Sequence, residues 1–197
     1  MFDVIVKSLQ FLNQLITAGF AITAFSLLLY ALTFNLRDRV ARSFALILAC
    51  IVIVYVGDAI SSIAGSNVLV EIWLRLEWIG ITFLPVCYLH FSDALLATTG
   101  RPSRGRRRLA IRLMYLVSLG FLATVFFPVM GTTLVGPLDL DASPAPHLAR
   151  TWLTWVFAGY FLVVIGWAWV NFFRAYRRTQ TPTSRRRISR WASTVWP

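Results

Sequence analysis

The sequence is poor in charge, and in negative charge most of all. Only 14% of its 197 residues are charged, and eight acidic side chains stand against 19 basic ones, for a net charge of +11. Because 58% of the residues are hydrophobic, too little polar surface remains to cover a soluble globule. This composition places the chain among membrane proteins.

The residue patterns that usually carry catalysis are missing as well. The sequence contains no nucleophile–base pair, no glycine-rich phosphate loop and no cluster of metal-ligating residues. Its two cysteines, Cys50 and Cys87, lie in apolar runs without metal or disulfide spacing, so we expect them to pack as small hydrophobic side chains. We therefore expect no enzymatic activity, no cofactor and no metal.

Long apolar runs, by contrast, are abundant. A helix that crosses a bilayer needs about 20 mostly apolar residues, because lipid offers no partner to a free backbone group. Five segments meet this requirement: 11–34, 43–64, 68–97, 109–127 and 151–173. The first is longer than the core of a signal peptide and no cleavage site follows it, so we expect it to be retained. The predicted fold is an all-α bundle of five transmembrane helices over residues 1–178, followed by a basic cytoplasmic tail at 179–197.

The connections between these segments alternate in charge. Arginines follow the first, third and fifth segments, whereas the second connection is uncharged and the fourth contains Asp139 and Asp141. Basic loops stay in the cytoplasm, so we expect an N-terminus outside and a cytoplasmic C-terminus.

Two of the basic stretches are dense clusters of arginine. They run from Arg101 to Arg112 and from Arg174 to Arg190, each beside a membrane span. We expect them to bind anionic lipid headgroups and not nucleic acid. The fourth connection, 128–150, is rich in proline and glycine, which indicates either a functional lid or a flexible connector.

Ionisable residues inside membrane helices are costly, so each is a candidate site residue. Asp58 in the second helix and Arg75 and Glu77 in the third lie at similar depths, and antiparallel packing would let them meet. One interpretation is a structural ion pair between Asp58 and Arg75, and the other is a polar ligand pocket. A competing arrangement has Glu77 and Asp58 share a proton, which would form a pH-sensitive input pocket.

The third helix also carries polar groups on two faces. At about 100° per residue, Glu71 and Arg75 share one side, whereas Glu77 and Tyr88 lie on the opposite side. Neither face suits lipid. We therefore expect the third helix to be central, to contact at least three others, and to shield Arg75 and Glu77 from acyl chains.

The remaining candidates are interpreted mainly as packing residues. His90 is expected to be a hydrogen-bonded packing histidine, with ligation of haem or chlorophyll as the alternative. Gly57, Ser61 and Gly65 stand four residues apart, which predicts a small-residue face for close helix contact. Pro85 predicts a kink in the third helix near the middle of the membrane.

The stretch WLRLEWIGITFLPVCYLHFSDALLATTG, from Trp73 to Gly100, resembles the third helix of the N-terminal seven-helix sensory region of bacterial histidine kinases. The shared features are an acidic residue before an apolar turn, a glycine, a mid-helix proline and an aromatic residue near the cytoplasmic end. Here these are Glu77, Gly80, Pro85 and Phe91. Family regions continue through a sixth and a seventh helix, whereas residues 191–197 are too short and polar to span, so we expect five.

The resemblance implies a non-catalytic sensory module in the bacterial inner membrane. Outer polar residues would form its input site, cytoplasmic helix ends its output, and a membrane or cytoplasmic signalling protein its partner. The alternative is an accessory subunit of a larger membrane complex that binds pigment, quinone or lipid. An intramembrane enzyme or transporter is disfavoured, because no catalytic constellation or inverted repeat is visible.

Overall fold

The computed structural model describes residues 2–34, 37–99, 105–139 and 147–179. Its elements are α1 (Phe2–Phe34), α2 (Arg39–Ile63), α3 (Asn67–Thr98), α4 (Arg106–Phe126), β1 (Val135–Asp139), β2 (His147–Arg150) and α5 (Trp152–Thr179). Within these ranges five helices are long and apolar enough to cross a membrane, at the five predicted places. The protein is therefore a multi-pass membrane protein. The basic tail at 180–197 lies outside the described residues.

The helix starts follow from local chemistry. The Asp38 carboxylate accepts a hydrogen bond from the Val40 amide at 3.2 Å and caps α2, and the Ser66 hydroxyl caps α3 through the Leu69 amide at 3.3 Å. Only three residues, 64–66, separate α2 from α3, so these two helices pack antiparallel along their length.

Helix α3 is the centre of the bundle, as its two polar faces predicted. It contacts α2, α4, α5 and both strands, whereas α1 packs mainly against α2. Ser92 on α3 accepts a hydrogen bond from the Asn171 amide on α5 at 3.2 Å, and both residues are buried. The prediction that α3 contacts at least three other helices is confirmed.

The two ends of the bundle differ. One end, the hairpin end, holds the α2–α3 turn (64–66) and the two strands, which pack against the start of α3. The other, the arginine end, holds the starts of α2 and α4 and the end of α5, with their arginines. Large apolar side chains are exposed all along α1, α4 and α5 between these ends, as lipid contact requires.

The proline- and glycine-rich fourth connection forms a small hairpin. Strands β1 and β2 pair antiparallel, with Leu138 opposite Leu148 and an irregularity between Val135 and Leu138. Leu134 is fully buried and its amide donates to the Thr124 carbonyl at 2.8 Å. The base of the connection is thus a packed cap on α4 and α5 and not a loose connector, while its tip at 140–146 lies outside the described residues.

The predicted small-residue face is partly correct. Gly57 and Ser61 are buried on α2. Gly65 is exposed in the α2–α3 turn and a Cβ there would meet nothing within 4 Å, so its assignment to the packing face is wrong. The reason is that α2 ends at Ile63, before the third repeat of the spacing. Pro85 is buried within α3, which continues through it, and its predicted kink stays a prediction.

The orientation of the bundle is open to a direct test. In a chain whose two native cysteines are replaced by serine, Gly65→Cys at the hairpin end should react with an impermeant maleimide added to intact cells. Arg106→Cys at the arginine end should react only after permeabilisation, because basic ends stay in the cytoplasm. Both positions are exposed, so access alone separates them. Labelling in the reverse sense would contradict the predicted N-out orientation.

Candidate functional site

Arg75 lies near the hairpin end of α3 and is held by two partners. Its Nε and one terminal nitrogen donate to Glu71 Oε1 at 3.0 and 2.8 Å, one helical turn earlier on α3. Its other terminal nitrogen donates to the Val125 carbonyl near the end of α4 at 2.9 Å. That carbonyl belongs to the last turn of α4, where it has no partner within the helix. Arg75 therefore closes the junction between α3 and α4.

The predicted ion pair between Asp58 and Arg75 is wrong. Among the described residues, the ion pair of Arg75 is with Glu71, and Asp58 has none. Arg75 and Glu77 are two positions apart in the sequence, which places them about 200° apart around α3. Arg75 consequently faces α4, whereas the face toward α2 and Asp58 belongs to Glu77.

Glu77 packs directly against the small surface of α2. A Cβ built on Gly57 would lie 2.5 Å from Glu77 Cγ, so the glycine makes the space that the Glu77 side chain fills. Asp58 follows Gly57 directly along α2, so its backbone lies next to the place where Glu77 packs. The competing sequence interpretation, in which Glu77 and Asp58 share a proton, stays a prediction.

One oxygen of Glu77 is left without a partner. Oε1 is buried, and no hydrogen bond reaches it from any described residue. A buried polar atom without a partner costs about 1–3 kcal/mol, and more for a charged group. A buried carboxyl group with an open acceptor can take up a proton, a small cation or a hydrogen-bond donor of a ligand. No group of three or more metal-ligating side chains occurs in the described ranges.

We name the four residues Asp58, Glu71, Arg75 and Glu77 the α3 polar cluster. The structure brings them to one end of the bundle: Glu71 pairs with Arg75 on one face of α3, and Glu77 packs against Gly57, the residue before Asp58, on the other. The role of Glu71 as the partner of Arg75 was not predicted. The i,i+4 spacing of an acid before a base was a signal for it in the sequence.

His90 is hydrogen-bonded, as the packing interpretation predicts. Its Nδ1 lies 3.1 Å from the Tyr115 hydroxyl on α4, and the two rings meet edge to face. The Tyr115 hydroxyl also reaches Cys87 Sγ at 3.9 Å, and Cys87 Sγ lies 3.8 Å from Cys50 Sγ on α2. A polar chain of four side chains thus crosses from α4 through α3 to α2. The sequence did not reveal this chain of contacts, because Cys50 and Cys87 are 37 positions apart.

Two further contacts join α4 to its neighbours. Asp93, buried near the arginine end of α3, forms an ion pair with Arg107 on α4. Tyr160 on α5 lies 2.9 Å from the Ser118 hydroxyl and donates to the Met114 carbonyl at 3.1 Å. Of the two predicted lipid-binding clusters, residues 101–104 and 180–190 lie outside the described residues.

Comparison with known proteins agrees with this architecture. The family described as the N-terminal 7TM region of histidine kinase matches the chain over residues 16–195. The match covers the second half of α1 and all of the other four helices, and it confirms the resemblance seen between Trp73 and Gly100. No curated protein and no solved structure matches the chain.

Proposed function

Because the chain belongs to the family of N-terminal seven-transmembrane regions of histidine kinases, we propose that it is a non-catalytic sensory input module of a histidine kinase pathway. The α3 polar cluster is its input site and the arginine end of the bundle is its output. We place it in the bacterial inner membrane, with the hairpin end outside and its arginine clusters on anionic headgroups. Its partner is a kinase catalytic region, in the same or another polypeptide.

The observation that carries this proposal is the unpartnered oxygen of Glu77 on the central helix. A buried acceptor without a partner destabilises the ligand-free arrangement. A proton, cation or hydrogen-bond donor that reaches this oxygen therefore stabilises one packing state of the helices relative to another. A change in the position of the Glu77 side chain alters its contact with Gly57 on α2. Because α3 also packs against α4 and α5, a movement of α3 alters the contacts of those helices as well. Interhelical contacts at the arginine end, such as Asp93 with Arg107, provide a route to the output.

The test uses the full chain in its native membrane. After solubilisation in mild detergent and affinity purification, we expect a histidine kinase catalytic region in stoichiometric amount, identified by mass spectrometry. Its autophosphorylation rate should change by about fivefold or more when Glu77→Gln replaces the carboxyl group of the input site by an amide, a change within the range typical of allosteric coupling. The matched control is Asp139→Asn, which neutralises a carboxylate on β1, and it should leave the rate unchanged.

Two results would contradict the proposal. Purification with one large complex that lacks any kinase would favour the accessory-subunit alternative. Equal autophosphorylation rates for wild type, Glu77→Gln and Asp139→Asn would remove Glu77 from the input site.

A further inference from the structure

A cavity of about 720 Å³ opens near the arginine end, between helices α1 to α4. It exists because α1 packs mainly on α2 while α4 packs on α3, so that the two outer helices leave a space between them. The volume lies within the range of ligand-binding clefts, about 300–1,000 Å³. None of the described residues of α5 lines its wall.

The wall has one strongly basic side. Two arginines come from the first turns of α2, Arg39 and Arg42, and two from the first turns of α4, Arg108 and Arg112. Within the described part of the chain none of the four forms an ion pair. The acid of the wall, Asp93, is already paired with Arg107. Four arginines therefore line the cavity without an acidic partner in the described part of the chain.

The backbone adds to the positive field at this place. Helix α4 begins beside the cavity, and its N-terminal amide groups carry partial positive charge, whereas the N-terminus of α2 is already capped by the Asp38 carboxylate. The N-cap of α4, Gly105, has no side chain to accept a hydrogen bond from these amides. An anion in the cavity is stabilised mainly by the guanidinium groups and additionally by these backbone amides.

The other side of the cavity is apolar. Leu28 and Leu32 of α1, Leu46 of α2 and Ile111 of α4 line it. A free inorganic anion would satisfy the arginines but would leave this aliphatic surface in contact with water. A molecule with a phosphate head and a hydrocarbon chain matches both sides, and guanidinium groups suit phosphate because they form paired hydrogen bonds with it.

We propose that this cavity is a binding site for one anionic phospholipid. Its phosphate lies among Arg39, Arg42, Arg108 and Arg112, and an acyl chain lies between α1 and α4 against the leucines. The site differs from general attraction of headgroups to a basic surface, because it takes one lipid at one place in the bundle. It does not depend on the proposed input role of Glu77, which lies toward the opposite end of α3.

The test measures lipid bound to the full chain in uncharged detergent by native mass spectrometry. Phosphatidylglycerol should bind with a stoichiometry of one and about tenfold more tightly than phosphatidylcholine. In the double variant Arg42→Gln with Arg112→Gln, this affinity should fall about tenfold or more, since each lost pair is a charge-assisted hydrogen bond. The matched control is Arg174→Gln with Arg178→Gln, which removes two exposed arginines from α5, and it should keep the affinity.

A second variant tests the apolar half with all charges intact. Ala49→Phe places an aromatic ring in the wall of the cavity and should also weaken phosphatidylglycerol binding. Equal losses in the two arginine double variants, or none in Arg42→Gln with Arg112→Gln, would overturn the site. Displacement of the lipid by glycerol phosphate at equal concentration would show that the ligand is a soluble phosphate and would overturn the lipid assignment.

Discussion

We expect Gly80→Ala to destabilise the bundle more than Gly57→Ala or Gly120→Ala does. A Cβ at this position of α3 would collide with the Cys50 carbonyl oxygen and with Val54 Cγ2, both on α2. The carbonyl belongs to helix backbone, which cannot rotate away, so α2 and α3 must separate along their shared contact. Overpacking of this kind costs about 1–3 kcal/mol. The measurement is the thermal unfolding of the purified protein in detergent.

Two other glycines provide the controls. At Gly120 on α4 a Cβ would meet nothing within 4 Å, so Gly120→Ala should be neutral or stabilising by about 0.5–1 kcal/mol, the helix-propensity gain. Gly57→Ala should lie between the two, because the obstacle there is the Glu77 side chain, which can change rotamer. A melting temperature of Gly80→Ala equal to that of Gly120→Ala would contradict the close α2–α3 contact.

Arg75→Gln is expected to have the second largest effect. It removes the ion pair with Glu71 and the donor to the Val125 carbonyl at the α3–α4 junction. The Glu71 side chain is 37% exposed, so solvent screening reduces the loss to about 1–2 kcal/mol, below the range for fully buried pairs. The loss is measured as a fall in the free energy of unfolding in detergent.

Double-mutant cycles separate the partner of Arg75 from its neighbours. Arg75→Gln combined with Glu71→Gln should show a coupling of about 0.5–1 kcal/mol. Arg75→Gln combined with Asp58→Asn should be additive to within about 0.5 kcal/mol, because Arg75 faces α4 whereas Asp58 belongs to α2, on the other side of α3. A coupling to Asp58 above about 1 kcal/mol would restore the ion pair that the sequence suggested and contradict the structure.

The extent to which the sequence predicted the site is clear from α3. Its two polar faces predicted a central helix, and the same 100° periodicity already placed Arg75 and Glu77 on opposite sides. Because Asp58 and Arg75 lie at similar depths in the membrane, the sequence nevertheless suggested a contact between them. Depth follows from counting residues, but contact also needs the rotation of each helix about its axis, which depends on all of its neighbours.

The proline-rich connection shows a similar division. Its composition predicted turns, and it left a lid and a flexible connector as alternatives. The structure pairs β1 with β2 and buries Leu134, Val135 and Leu148 against α4 and α5. Amino-acid composition does not reveal which backbone segments pair, because the pairing depends on where the flanking helices end.

By itself the sequence determined the five membrane spans, their approximate limits and the family. Each of these depends on local properties, since a bilayer demands about 20 apolar residues wherever a chain crosses it. The tertiary structure alone decided that Glu71 and not Asp58 pairs with Arg75, that Cys50 and Cys87 lie 3.8 Å apart, and that four arginines surround one cavity. These facts depend on side-chain direction and on close packing between helices. Both are set by many distant residues at once, and no single stretch of sequence contains them.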